Sequence, residues 1–168
     1  MSDTTARWRS AQALLPVALL VLVAALVVAA VLLGLPLIKG HRADAARTEA
    51  MHAARQESIN LVTLDFNRVD ADIANVLAGA TGDFRDQYSK DADRVKKVVK
   101  DNNVRSTGSV LESGVVTSDT DSVTVLVVVD STVRNKANTK GQLRHYRMQL
   151  EMSRVGGHWR ASSLQFVT

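Results

Sequence analysis

TLDFNRVDADIANVLAGATGDF, residues 63–84, carries Asp65, Asp70, Asp72 and Asp83 among small and apolar residues, with no cysteine or histidine. The stretch reads either as an acidic active site or as a corner between two helices. Upstream and within it, Ile59, Val62, Phe66, Val69, Ile73, Val76 and Leu77 recur at spacings of three and four, which predicts one long helix with a single apolar face. On that helix most of the carboxylates face solvent. Gly79-Ala80-Thr81-Gly82-Asp83 then ends one helix and starts another. Thr81, Gly82, Asp83 and Phe84 form the expected structural corner, with Asp83 as the capping residue.

Beyond the corner, Phe84, Tyr88, Val95, Val98 and Val99 keep the helical period. Lys90, Arg94, Lys96, Lys97 and Lys100 form a basic outer surface. After Asn103 the period changes to two. Turn signals at 119–121, 135–141 and 156–157 separate four strands, expected over 104–118, 122–134, 142–155 and 159–167. Tyr146, Met148, Leu150 and Met152 alternate with Arg147, Gln149, Glu151 and Ser153, as in an antiparallel sheet with one buried and one wet face. The second strand is apolar on both faces: Val123, Val125, Val127 and Val129 point one way, Leu126 and Val128 the other. Gly108 and Gly114, and the parity change between Ala161 and Leu164, predict bulges that curve the sheet.

Working back toward the N-terminus, residues 11–38 carry no charged side chain, enough to cross a bilayer core of about 30 Å as a helix. The run is too long, and lacks the small-residue cleavage site, for a cleaved signal peptide. Arg7 and Arg9 before it are balanced by Lys39, Arg42 and Arg47 after it, so charge leaves the orientation open. Residues 39–57, Ala-rich and charged, read as a helical stalk. The domain plan is therefore a tail over 1–10, a transmembrane helix over 11–38, a stalk over 39–57 and a folded domain over 58–168. Its class is α+β: two helices packed on a curved four-stranded antiparallel sheet, closed into a cone.

The chemical inventory is thin. The 168 residues contain no cysteine, which removes disulfides and thiolate chemistry, and the net charge of +4 is mild. No phosphate loop, nucleophile elbow or HExxH motif occurs. An Asp70–His145 dyad is the sharpest enzymatic arrangement available, but the strand alternation puts His145 on the wet face. The basic residues of the second helix, with Arg134, Lys136, Lys140 and Arg144, are read as a solvated face, and sparse aromatics argue against nucleic acid. No cofactor or metal is expected, and no catalytic residue is assigned. Leu126 and Val128, with Val116 adjoining, are the expected interface patch. A ligand-binding or catalytic cone would instead need Phe66, Tyr88, Tyr146 and Trp159 around a pocket containing a polar group.

The single N-terminal membrane helix, the LVTLDF helix, the ATGDF corner with Tyr88 after it, Gly114-Val115-Val116, the VTVLVVVDSTV strand and the closing Trp159 strand together resemble the Mce-associated membrane proteins of actinobacteria. That resemblance implies a cystatin-like cone of the nuclear-transport-factor-two-like kind, held outside the cytoplasmic membrane with its N-terminus in the cytoplasm. It implies a non-enzymatic accessory of Mce complexes, which import lipids or sterols, with the bilayer and Mce transporter subunits as partners and room for a homo-oligomer. The alternatives are an assembly factor of a type IV-like secretion machine and a cone that binds a small hydrophobic ligand.

Overall fold

The structure, a computed structural model, describes residues 43–167 and, before them, Val23. The tail expected over 1–10 and the membrane helix expected over 11–38 otherwise lie outside the described residues. Within those residues, no helix is long and apolar enough to cross a membrane. The described elements are α1 (43–62), β1 (Leu64–Asp65), α2 (Val69–Gly79), α3 (Gly82–Asp101), β2 (Arg105–Ser118), β3 (Ser122–Arg134), β4 (Gln142–Val155) and β5 (His158–Phe166). The strands pair in chain order into one antiparallel sheet. Among the described residues the fold is thus α+β with three helices and five strands, one of each more than expected.

The four long strands fall where the period of two places them. Val123, Val125, Val127 and Val129 are fully buried and meet Met152, Leu150, Met148 and Tyr146 across the β3–β4 pair. Side chains that alternate across a strand leave Leu126 and Val128 on the opposite face. The β4–β5 hairpin turns on Gly156 and Gly157, both at positive φ (60° and 82°), as a two-residue turn of the right twist requires. The expected β5 bulge is present where Glu151 pairs with Ser163 and Met152 with Ala161, leaving Ser162 over. In β2 the register shifts fall between Val110 and Glu112 and between Val115 and Thr117, not at the glycines. Gly108 has a different reason: a Cβ there would lie 2.2 Å from Cγ2 of Val62, so the missing side chain lets α1 rest on β2.

Two helical expectations change. The helix expected to run unbroken through 63–68 stops at residue 62. Leu64 and Asp65 instead pair with Ser106 and Arg105. The break is held by carboxylates: the Asp65 amide donates to Oδ2 of Asp72 (2.8 Å) and the Asn67 amide to Oδ1 of Asp65 (2.9 Å). Such side-chain acceptors give the backbone an alternative to the helical ladder.

The segment read as a stalk over 39–57 belongs to the core from residue 43 onward. Ala46, Ala50 and Ala54 are buried at a spacing of four, in one cluster with the β3 valines and the β4 methionines. Small side chains on one stripe let the helix axis approach the sheet closely. Glu49 Oε2 accepts from the Trp159 indole at 3.3 Å, and Arg55 donates to Ser113 at 2.9 Å. A weak apolar moment hid this face, because alanine buries little area per residue while packing without a gap. A second, smaller cluster joins Val69, Ile73 and Val99 between α2 and α3, with Phe66, Leu64 and Val104 against it.

Candidate functional site

The four aspartates of 63–84 do not converge. Asp65 and Asp72 hold the α1–α2 break, and Asp72 also pairs with Arg68 at 3.3 Å. Asp70 lies 2.5 Å from Lys96 and 3.6 Å from Lys100, and its hydrogen bond with Lys96 holds its carboxyl below the usual range. His145 contacts Asp130, its cross-strand neighbour, at 2.5 Å, so the Asp70–His145 dyad is not formed. Among the described residues no three metal-ligating side chains come together.

The corner exists, with its roles exchanged. Thr81, not Asp83, stands at the N-cap of α3, in extended conformation and without a side-chain cap bond. Gly82 follows at φ 54°, a left-handed geometry that glycine adopts freely. Asp83 sits in the first turn, where its charge suits the positive end of the helix dipole. The chain is pinned here to the sheet: Ala80 bridges Ala161, and the Thr81 amide donates to the Ala161 carbonyl at 2.8 Å. Phe84 is buried in the main core. The basic outer surface of α3 is largely neutralised, with Lys96 on Asp70, Arg94 on Asp91 (2.9 Å) and Lys97 on Asp101 (2.8 Å).

The expected interface residues share the outward face of the sheet or its edge. Leu126 is 40% exposed and pairs with Gly114, whose missing side chain leaves open space beside it. Val128, half-buried, lies between Glu112 and Arg147. Val116, skipped by the second β2 register shift, is 53% exposed. Leu111, skipped by the first shift, is equally exposed and was not singled out in the sequence. Leu126 and Val128 form the apolar centre of the patch, flanked by Glu112 on β2 and by Arg147, Gln149 and Glu151 on β4.

Of the four residues expected inside the cone, two line a cleft there. Tyr88 and Tyr146 face a space of about 420 Å³ together with Phe84, Phe166, Leu61 and Leu164. Phe66 instead packs in the smaller cluster beneath the Arg105 guanidinium, 5.0 Å from the ring centre. Trp159 is buried in the main core and bound to Glu49.

Sequence reasoning missed Glu57. On α1, it is 2% exposed, and its Oε1 has no hydrogen-bond partner among the described residues. Oε2 accepts a long bond of 3.4 Å from Asn60. Burial pushes the carboxyl up to about 7, opposed by the Asn60 bond. Gly79 makes the room: a Cβ there would lie 1.9 Å from Oε2. Burial also raises the Tyr88 hydroxyl, with Glu57 and then Asp72 adding to the effect.

The family described as "Uncharacterized protein Rv1363c/MT1408-like" matches residues 12–168. The chain belongs to this family. It is 35% identical over 114 residues to the protein described as "Uncharacterized protein Rv1363c" from Mycobacterium tuberculosis (strain ATCC 25618 / H37Rv). That alignment covers 68% of this chain and 44% of the relative, so the chain spans less than half of the relative's length. Among solved structures, an IcmL-like type IV secretion system protein from Legionella pneumophila superposes with a TM-score of 0.61 at 16% identity, covering 72% of this chain and 91% of that one. The periplasmic domain of DotI gives 0.58 at 12% identity, covering 70% and 91%. At such identities the likeness is one of fold.

Proposed function

We propose that the protein is a non-enzymatic, membrane-anchored accessory whose folded domain stands outside the cytoplasmic membrane and docks onto an Mce-type lipid or sterol import complex. The observation that carries this reading is the outward sheet face, where exposed Leu126 pairs with the side-chain-free Gly114 and Val128 follows it, with exposed Leu111 and Val116 at the two β2 register shifts. An apolar centre with a polar border has the anatomy of a protein contact. The aspartates support the same reading, since each one in the opening stretch has a structural partner or a helix-terminal place. The link to Mce complexes rests on the sequence resemblance, and the mycobacterial relative is in keeping with it.

The test is co-purification of the full chain from solubilised membranes at native expression, with Leu126→Asp as the comparison. Recovery of importer subunits with the wild type, reduced at least tenfold by the substitution, is the expected result. A wild-type protein recovered without importer subunits, from cells whose importer levels do not change on its deletion, contradicts the proposal.

The fold likeness to type IV secretion proteins favours a second reading, an assembly factor for a secretion machine. The same preparation separates the two, because secretion ATPase and channel subunits would then replace importer subunits.

A further inference from the structure

The cone interior offers a site that interface docking does not use. The cleft of about 420 Å³ falls in the size range of small-molecule pockets, roughly 300–1,000 Å³. Its walls come from α1, β1, α3 and each of the four long strands or the loop before them, and none of its lining residues is charged. Four aromatic rings border it in two tilted pairs: Phe84 and Tyr88, and Tyr146 and Phe166, each with ring centres 6.0 Å apart.

The polar groups inside fall into two kinds. Ser106 Oγ accepts from the Leu64 amide at 3.0 Å and Ser131 Oγ donates to the Val62 carbonyl at 3.3 Å, so both serve the fold. Tyr88 and Tyr146 are half-buried as residues, and their hydroxyls make no hydrogen bond to another described residue. In an apolar pocket a few such polar groups, tyrosine hydroxyls among them, fix the orientation of a ligand. Phe166, 63% exposed at the end of β5, leaves one side of the cleft open.

We infer that this cleft binds a neutral, largely apolar small molecule bearing one hydroxyl or carbonyl, its body held among the aromatic rings and its oxygen placed at Tyr88 and Tyr146. Charge on the ligand is disfavoured because entry would strip its water with no opposite charge in the lining to replace it. The chemistry suits a long-chain alcohol, an acyl ester or a sterol, and disfavours a fatty acid anion or a phosphate.

The experiment uses the full chain reconstituted in phospholipid vesicles, with three photoreactive, alkyne-tagged probes: a long-chain alcohol, a sterol and a fatty acid. After irradiation, adducts are mapped by peptide mass spectrometry. The expected result is labelling near Tyr88, Tyr146 and Leu164–Phe166 by at least one neutral probe, displaced by excess untagged compound. Val133→Trp, which fills the cleft, should reduce this labelling at least tenfold, while labelling within residues 11–38 stays constant as an internal measure of insertion. Tyr88→Phe/Tyr146→Phe keeps the shape and should weaken capture of the alcohol at least fivefold; unchanged melting temperatures show that both variants are folded. Adducts confined to residues 11–38, undisplaced labelling, or equal labelling by the fatty acid would overturn the inference.

Discussion

Glu57 is the residue on which the interior's electrostatics turn. Its pKa in the fold, about 7, lies above the ordinary 4.5, so the unfolded chain releases this proton first as pH rises. The stability tied to its neutral form is complete below about pH 4.5 and is lost progressively up to about pH 7. A shift of this size corresponds to about 3 kcal/mol. Glu57→Gln should therefore flatten the loss of stability between pH 5 and pH 8, leaving the variant about 1–3 kcal/mol ahead at pH 8. Denaturant unfolding of the full chain in mild detergent, followed by tryptophan fluorescence, measures this, and an unaltered pH profile in the variant speaks against it. Gly79→Ala places a Cβ on Oε2 of Glu57 and should cost about 1–3 kcal/mol as an overpacked site. Glu57→Ala/Gly79→Ala should cost clearly less than the two single changes together, because the clash has gone. Additive losses would show that the two residues do not share this space. Neither role was legible in the sequence: a glutamate in an alanine-rich helix reads as solvated, and only the packing of α2, with Gly79 against its carboxylate, gives it a buried place.

At the scale of elements, the strands were the legible part. Alternation of Tyr146, Met148, Leu150 and Met152 with polar residues, and the turn residues between strands, placed all four long strands within about one residue of their observed ends. The helices were harder because periodicity alone does not show a break. Val62, Phe66 and Val69 keep the apolar spacing across the break, yet Leu64 and Asp65 between them form a strand, since Ser106 and Asp72 offer their backbone amides better partners than another helical turn. Asp72→Ala removes the acceptor of the Asp65 amide and leaves Arg68 without its partner, with an expected loss of about 1–3 kcal/mol. The α1 stripe supplies a sharper test. Ala50→Leu forces a large side chain where the helix meets the sheet and should lower the melting temperature by several degrees or more. A solvated stalk would tolerate the change without cost, so an unchanged melting temperature would return residue 50 to the surface.

For the whole molecule, the site was legible in part for a physical reason. An exposed apolar residue on a strand declares itself by parity, which is how Leu126 and Val128 stand out. A cavity depends on which elements enclose it, and Tyr88 and Tyr146 were placed there while Phe66 and Trp159 were drawn into other contacts. The domain boundary at residue 58 was misplaced for the same kind of reason, since α1 is continuous across it. A fragment starting at residue 58 would lose the helix that covers the β3 valines and should not unfold cooperatively, whereas one starting at 43 should; calorimetry of the two decides. The central claim, that the outward sheet face is a docking surface, is tested most directly by a photo-crosslinking amino acid placed at position 126 in living cells, with position 158 on the β4–β5 hairpin as the comparison. The account predicts an adduct between position 126 and a lipid-importer subunit and none from position 158. Equal adducts from both positions, or none from 126 while the protein is folded and membrane-bound, would contradict it.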